Sequence, residues 1–262
     1  MNLNKFGIFI LSMLTAASIM LSSCNIEDVP NPNAPTIEDL IAGATLADIE
    51  LLAIGLESVM RNDLEFYIQT MSILGREYWD LNGGDPRYTG ELLGRNGEPL
   101  DNFGFLTTRS FAARYRAVRS AQILLDALPN NVASLSQDQL DGLQGVAKTL
   151  QAYAILLVAN RQVENGVRLP AAVEDPFNLG AYEDGYQASL TGIKALLDEA
   201  DALLDGGDLP YTSTIADDAA DFKRFNRAIA ARDAIYQGDK AAARSALAQS
   251  SFSLNGDLND VY

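Results

Sequence analysis

Apolar residues in this chain return every three or four positions almost from end to end, which confines the fold to packed helices. Ile49, Leu52, Leu56 and Val59 form one such stripe, and Met60, Leu64, Tyr67, Met71, Leu74 and Tyr78 continue it. Phe111, Tyr115, Val118, Ala121, Leu125 and Leu128 make a second. Leu143, Val146, Leu150, Tyr153 and Leu157 make a third, and Leu190, Ile193, Leu197, Ala200 and Leu204 a fourth. Phe222, Phe225 and Ile229 open a last helix that reaches Tyr236. Side chains repeating at this interval share one face of a helix. No comparable stretch alternates with period two, so an all-α fold is expected and no strand is read. At 48% hydrophobic residues the chain has the apolar surface to bury a core.

Stops fall between the stripes. Pro129-Asn130-Asn131 closes one helix, and Ser136 with Gln139 forms a capping box for the next. Asn165-Gly166, Gly206-Gly207 and Gly238 supply helix ends, and Asp239 caps the final helix. The long interruption is the Gly- and Pro-rich segment 79–105; a loop of that length is usually functional or disordered.

The first residues read as an address. Met1–Phe6 is a short polar region with one positive charge, Lys5, and Gly7–Leu21 is an apolar run. Leu21-Ser22-Ser23-Cys24 resembles the bacterial lipobox, so residues 1–23 are expected to be a signal peptide and Cys24 the acylated first residue of the mature chain, which anchors it in a membrane. No later segment is expected to be long and apolar enough to span a bilayer. Asn25–Pro35, rich in Pro and Asn, is an extended tether. Thr36 then caps the first helix, with Glu38 and Asp39 in its first turn.

Composition excludes much catalytic chemistry. The chain has no His, which removes His general bases, Ser-His-Asp systems and His-ligated metals. Its single Cys permits no intrachain disulfide. A net charge of −16 repels phosphate backbones, so nucleic acid is not an expected partner. No enzyme activity, metal or cofactor is expected.

The last hairpin, Phe225–Leu247, carries small residues at Ala228, Ala231, Ala234, Ala242 and Ala246 around the turn Tyr236-Gln237-Gly238-Asp239. It is similar to the second half of a tetratricopeptide repeat, and also to an ordinary helix pair. The lipobox Cys, the tether with Asn-Pro-Asn-Ala-Pro-Thr, a long first helix and irregular hairpins ending in Tyr-Gln-Gly-Asp together resemble the SusD/RagB family of outer-membrane nutrient-binding lipoproteins of Bacteroidota. The resemblance spans Cys24 to Tyr262. It implies a SusD-like α-α superhelix over residues 36–262 that lacks the family's C-terminal portion. It also implies no catalysis, surface exposure on the outer membrane, capture of an oligosaccharide or peptide, and a SusC-like TonB-dependent transporter as partner. The alternative is a helical scaffold on the outer membrane that binds proteins and takes no small ligand.

Trp79, Tyr88, Phe103 and Phe105 lie in or beside the long interruption, where flat rings suit the apolar face of a sugar, and Asp80, Asn82, Asp85 and Arg87 suit its hydroxyls. The expected ligand residues are Trp79, Asp85, Arg87 and Tyr88. Trp79 also reads as the end of the apolar stripe that includes Tyr78. Arg109, Arg114, Arg116 and Arg119 are read as a solvated helix face, as are Asp198, Asp201, Asp205 and Asp208. Glu174-Asp175 and Asp217-Asp218 would serve glycoside hydrolysis only if the fold joined them.

Overall fold

A computed structural model of the chain describes residues 36–81, 84–171 and 179–253. Cys24, the expected signal and the tether lie outside the described residues, as do Asn82 and Glu174-Asp175. The described part is mostly helix: α1 (Ile37–Gly43), α2 (Leu46–Met60), α3 (Leu64–Leu74), the short α4 (Arg87–Gly90), α5 (Phe105–Ala127), α6 (Gln137–Gln162), α7 (Tyr186–Leu204), α8 (Ala219–Tyr236) and α9 (Lys240–Leu247).

Each long helix packs antiparallel on the next. Arg161, late in α6, reaches Leu106 and Ser110 at the start of α5, while Gln151 meets Val118 and Gln122 further along. Lys148 in α6 pairs with Glu199 in α7. Lys223, early in α8, meets Asp205 after α7, and Gln237 beyond α8 meets Leu190 near the start of α7. The core runs along this array through Leu56, Leu124, Leu150, Ile155, Ile193, Leu197 and Phe222, each fully buried. Phe66, Ile73, Leu92 and Leu106 form a smaller core beneath the long interruption.

The caps expected at the start of α6, the end of α8 and the start of α9 are present. Ser136 and Gln139 exchange bonds at the start of α6. The end of α8 is a Schellman motif: Gly238 has φ 79°, its N–H donates to Ile235 O, and the Asp239 N–H donates to Ala234 O. Asp239 then accepts from Ala241 and Ala242 N–H to start α9.

Four expectations are corrected. There is no long first helix, because the stripe from Ile49 to Tyr78 is cut twice. Asp63 takes a left-handed conformation (φ 55°) between α2 and α3, and Arg76 (φ 62°) ends α3 in a Schellman turn, with Glu77 N–H donating to Ser72 O. Trp79 therefore does not end a helical stripe; it lies beyond α3 and is exposed. A two-stranded antiparallel ladder does occur, pairing β1 (Val167–Arg168) with β2 (Tyr182–Glu183). Finally, the stretch Gln137–Asn165 is long and apolar enough to cross a membrane by length and composition, but 83% of its apolar window is buried. Packed between α5 and α7, it is the central core helix.

The charged stripes are likewise more committed than a solvated face. Arg114 is buried and donates to Met60 O and Asn62 O, capping the carbonyl end of α2. Burial holds its guanidinium below its usual pKa. Arg109 and Arg116 both face Asp63 at the same corner, and Arg119 is exposed. Asp198 and Asp201 pair with Arg227, and Asp205 with Lys223. Glu57 in α2 is buried and accepts four hydrogen bonds, from Tyr211 Oη, Ser213 Oγ and the Thr214 N–H and hydroxyl, at 2.6–2.8 Å. It ties α2 to the segment that leads into α8.

Candidate functional site

Two adjoining depressions form one groove across the ends of α3, α5 and α6. The first, of about 500 Å³, lies between Met71 and Leu74 of α3, Leu100–Phe103 of the long interruption, the opening turns of α5 and the end of α6. The second, of about 450 Å³, continues along Phe111 and Tyr115 of α5 to the β1–β2 ladder at Arg168 and Tyr182. Phe111, Gln162 and Asn165 belong to both.

The local chain explains why this end is open. Helix α6 stops at Gln162, and Val163 follows with φ 45° and ψ −102°, a conformation that a β-branched residue adopts only under strain. Gly166 at φ 66° then turns the chain into β1 against the Glu183 carbonyl, where a side chain would not fit. Tyr115 Oη donates to Arg168 O and accepts from Arg168 N–H, which fixes the ladder over α5. Tyr182 Oη donates to Asn165 O, and the Arg168 guanidinium lies 5.5 Å from the Tyr182 ring.

The groove mixes aromatic rings with amide and guanidinium groups. Phe103 is 90% exposed, Tyr182 51% and Phe111 37%, and Phe111 stands 4.8 Å from Tyr115 ring to ring. Exposed rings in such number have little reason to be wet unless something covers them. Arg161 lines the groove with its guanidinium donating to Ser110 Oγ and Leu106 O, and burial lowers its pKa from the usual value. Gln162, Asn165 and Asn102 add donors and acceptors along the walls.

The expected ligand residues stand elsewhere. Asp85 and Arg87 are bonded to each other in a turn, with Arg87 Nε and Nη2 donating to the carboxylate at 2.7–3.2 Å. That pairing holds the Asp85 carboxyl below its usual pKa. Arg87 also lies over the Phe105 ring at 4.4 Å, and Tyr88 meets the same ring edge-on at 6.0 Å. Trp79 is exposed near Arg95. Asp85, Arg87 and Tyr88 are thus brought together around Phe105, and none of the four expected residues lines the groove. The long interruption reaches it through Leu92, Leu100, Asn102 and Phe103 instead. Phe111 and Tyr115 have the spacing of core residues, so periodicity alone gives no reason to place them in a site. The one pointer is the Asn165-Gly166 stop, which marks the helix end where the groove opens.

A smaller cavity of about 180 Å³ lies between α7, α8 and α9. In its wall Asp233 is 1% exposed, and desolvation pushes its carboxyl up to about 6. Since the folded pKa exceeds the unfolded one, the native state binds a proton more tightly, and the charged carboxylate costs stability above that range. Asp233→Asn is expected to change stability little near pH 4, and to raise it progressively from about pH 4 to about pH 6, by ~1–3 kcal/mol at neutrality. Thermal unfolding across that range measures it; parallel curves for the two proteins would refute it.

Among the described residues no group of three or more Cys, Asp or Glu is placed to hold a metal ion. Asp217 and Asp218 start α8, where Asp218 accepts from the Asp221 N–H as a cap. The chain matches no family model, no curated protein and no solved structure.

Proposed function

We propose that this chain is an outer-membrane, cell-surface lipoprotein, anchored through Cys24, that captures an oligosaccharide or peptide and works with a SusC-like TonB-dependent transporter. In this reading the antiparallel array is tetratricopeptide-like and of the SusD type. The observation that carries it is the groove: exposed Phe103, Phe111 and Tyr182 line two adjoining open depressions together with Arg161, Gln162 and Asn165. Rings stack on sugar faces or pack against peptide side chains, and the amides and guanidinium satisfy hydroxyls or backbone groups. The continuous groove suits an extended molecule. The Schellman turn and Asp239 cap of the last hairpin support the repeat-like reading.

Phe111→Ala and Tyr182→Ala change exposed rings and leave the core intact. Each is expected to weaken capture at least tenfold when the protein is titrated with an oligosaccharide pool and, separately, a peptide pool. The pool that loses affinity identifies the ligand class. Circular dichroism should show unchanged helicity. Full retention of capture by both folded variants would overturn the groove as the site. Absence of capture from either pool by the wild-type protein would favour the protein-binding scaffold.

A further inference from the structure

Resting on the groove as the capture site, we infer that its ligand is an acidic oligosaccharide, held by a uronate carboxylate on Arg168 while a sugar ring stacks on Tyr182 or Phe111. The inference begins with charge. The chain carries 35 Asp and Glu against 19 Lys and Arg. Among the described residues, however, no Asp or Glu lines either depression of the groove, and the two charged residues in its lining are Arg161 and Arg168.

The neighbouring acids are turned elsewhere. Asp101 stands between two lining residues, Leu100 and Asn102, but its carboxylate accepts from the Phe103 N–H, and Glu91 accepts from the Asp101 N–H. Glu183 follows Tyr182 on β2 and so projects from the opposite face, toward Gly192 of α7. Glu164 is exposed and lines neither depression. Arg87 and Arg109 already hold the carboxylates of Asp85 and Asp63, and each pairing raises the guanidinium pKa. Arg161 and Arg168 form no ion pair among the described residues.

Arg168 is the better placed of the two. It is exposed, and Tyr115 Oη fixes its backbone through both its N–H and its carbonyl. Its guanidinium lies 5.5 Å from the Tyr182 ring, and Nη1 donates to Gly180 O at 3.2 Å. A guanidinium steadied by one ring and one carbonyl keeps further N–H donors for a carboxylate. The net charge of −16 opposes an anion from afar, but exposed charges are screened beyond about 8 Å at physiological salt, so the lining decides. The rest of the lining favours a sugar over a peptide. The amides of Asn102, Gln162 and Asn165 both donate and accept, as sugar hydroxyls do. A peptide brings an amino terminus, for which the lining offers no carboxylate.

The test titrates the wild-type chain with trigalacturonate, with its methyl ester, which keeps the sugar and removes the charge, and with triglutamate. Trigalacturonate is expected to bind at least tenfold more tightly than the ester and to lose that advantage in about 1 M salt. Arg168→Met keeps an apolar stem beside Tyr182; it should weaken trigalacturonate binding at least tenfold and leave the ester unchanged, with helicity checked by circular dichroism. Arg168→Lys should recover part of the loss. Equal affinity for acid and ester, undiminished trigalacturonate binding by folded Arg168→Met, or tighter binding of triglutamate would overturn the proposal. If acid and ester bind equally and Phe111→Ala weakens both, the groove stands as the site and only the charge preference falls. If trigalacturonate binding survives both Phe111→Ala and Tyr182→Ala undiminished, the groove falls and the proposal with it.

Discussion

Glu57→Ala is expected to be the most destabilising single change in the helical array, with a loss of ~3–5 kcal/mol in denaturant unfolding. The side chain is 1% exposed and accepts every one of its four hydrogen bonds from the segment Tyr211–Thr214. Truncation leaves two buried or half-buried hydroxyl groups, a backbone N–H and the Tyr211 phenol facing an apolar hole. Tyr211 is held far above the usual phenol pKa by burial and by the Glu57 charge. Glu57→Gln preserves volume but sets an amide NH₂ against donors, and should lose about half as much. Tyr211→Phe removes one bond together with its donor and should lose only ~1 kcal/mol. A Glu57→Ala loss below ~1 kcal/mol would show that the segment is not held by this carboxylate.

Two glycines in helix interiors should respond to the same substitution with opposite sign. Gly to Ala in an exposed helix position normally adds ~1 kcal/mol of stability, because alanine loses less backbone entropy on folding. Gly55 in α2 is exposed with nothing near its missing Cβ, and Gly55→Ala should gain about that amount. Gly142 in α6 faces the backbone of Asp208, and a methyl there would fall well inside the Asp208 carbonyl oxygen. The two segments are also joined by Asp208 N–H donating to Asp138 O at 2.8 Å. Backbone cannot rotate aside as a side chain would, so Gly142→Ala must separate α6 from the end of α7. The expected loss is ~2–4 kcal/mol, net of the propensity gain. Equal signs for the two variants in thermal unfolding would refute the close approach.

Helix existence was legible because burial in this array follows one face at a time. Leu143, Val146, Leu150 and Leu157, read as one stripe, are all buried in α6. The caps were legible where their chemistry is local, as at Ser136 and at Gly238-Asp239. Breaks were missed where the left-handed residue is not glycine. Asp63 and Arg76 carry side chains that periodicity counts as ordinary helix, and Arg114, which secures the α2–α3 corner, looks from its spacing like a surface charge. The site was less legible still. Asp85 and Arg87 have the right chemistry for a ligand, but two residues apart they satisfy each other. Phe111 has the spacing of a core residue, and only the helix that ends opposite it, at Gln162, leaves it partly open. Pairing between distant segments decides such matters, and spacing along the chain does not record it.

The bond from Glu57 to Tyr211 spans 154 positions and changes how the array can come apart. In an open stack of hairpins each unit leans only on its neighbours, and the ends fray first. Here α2 is fastened to the lead-in of α8, so the series closes on itself like a belt at its buckle. A second tie, from Asn226 in α8 to Thr149 in α6, bridges two helices that are not successive. Loss of order at one end is therefore felt at the other, and the helices between them give way together rather than one by one. A backbone cut in the connection between α6 and α7 would open the belt without releasing either half, because the buckle is made of side chains and not of that connection.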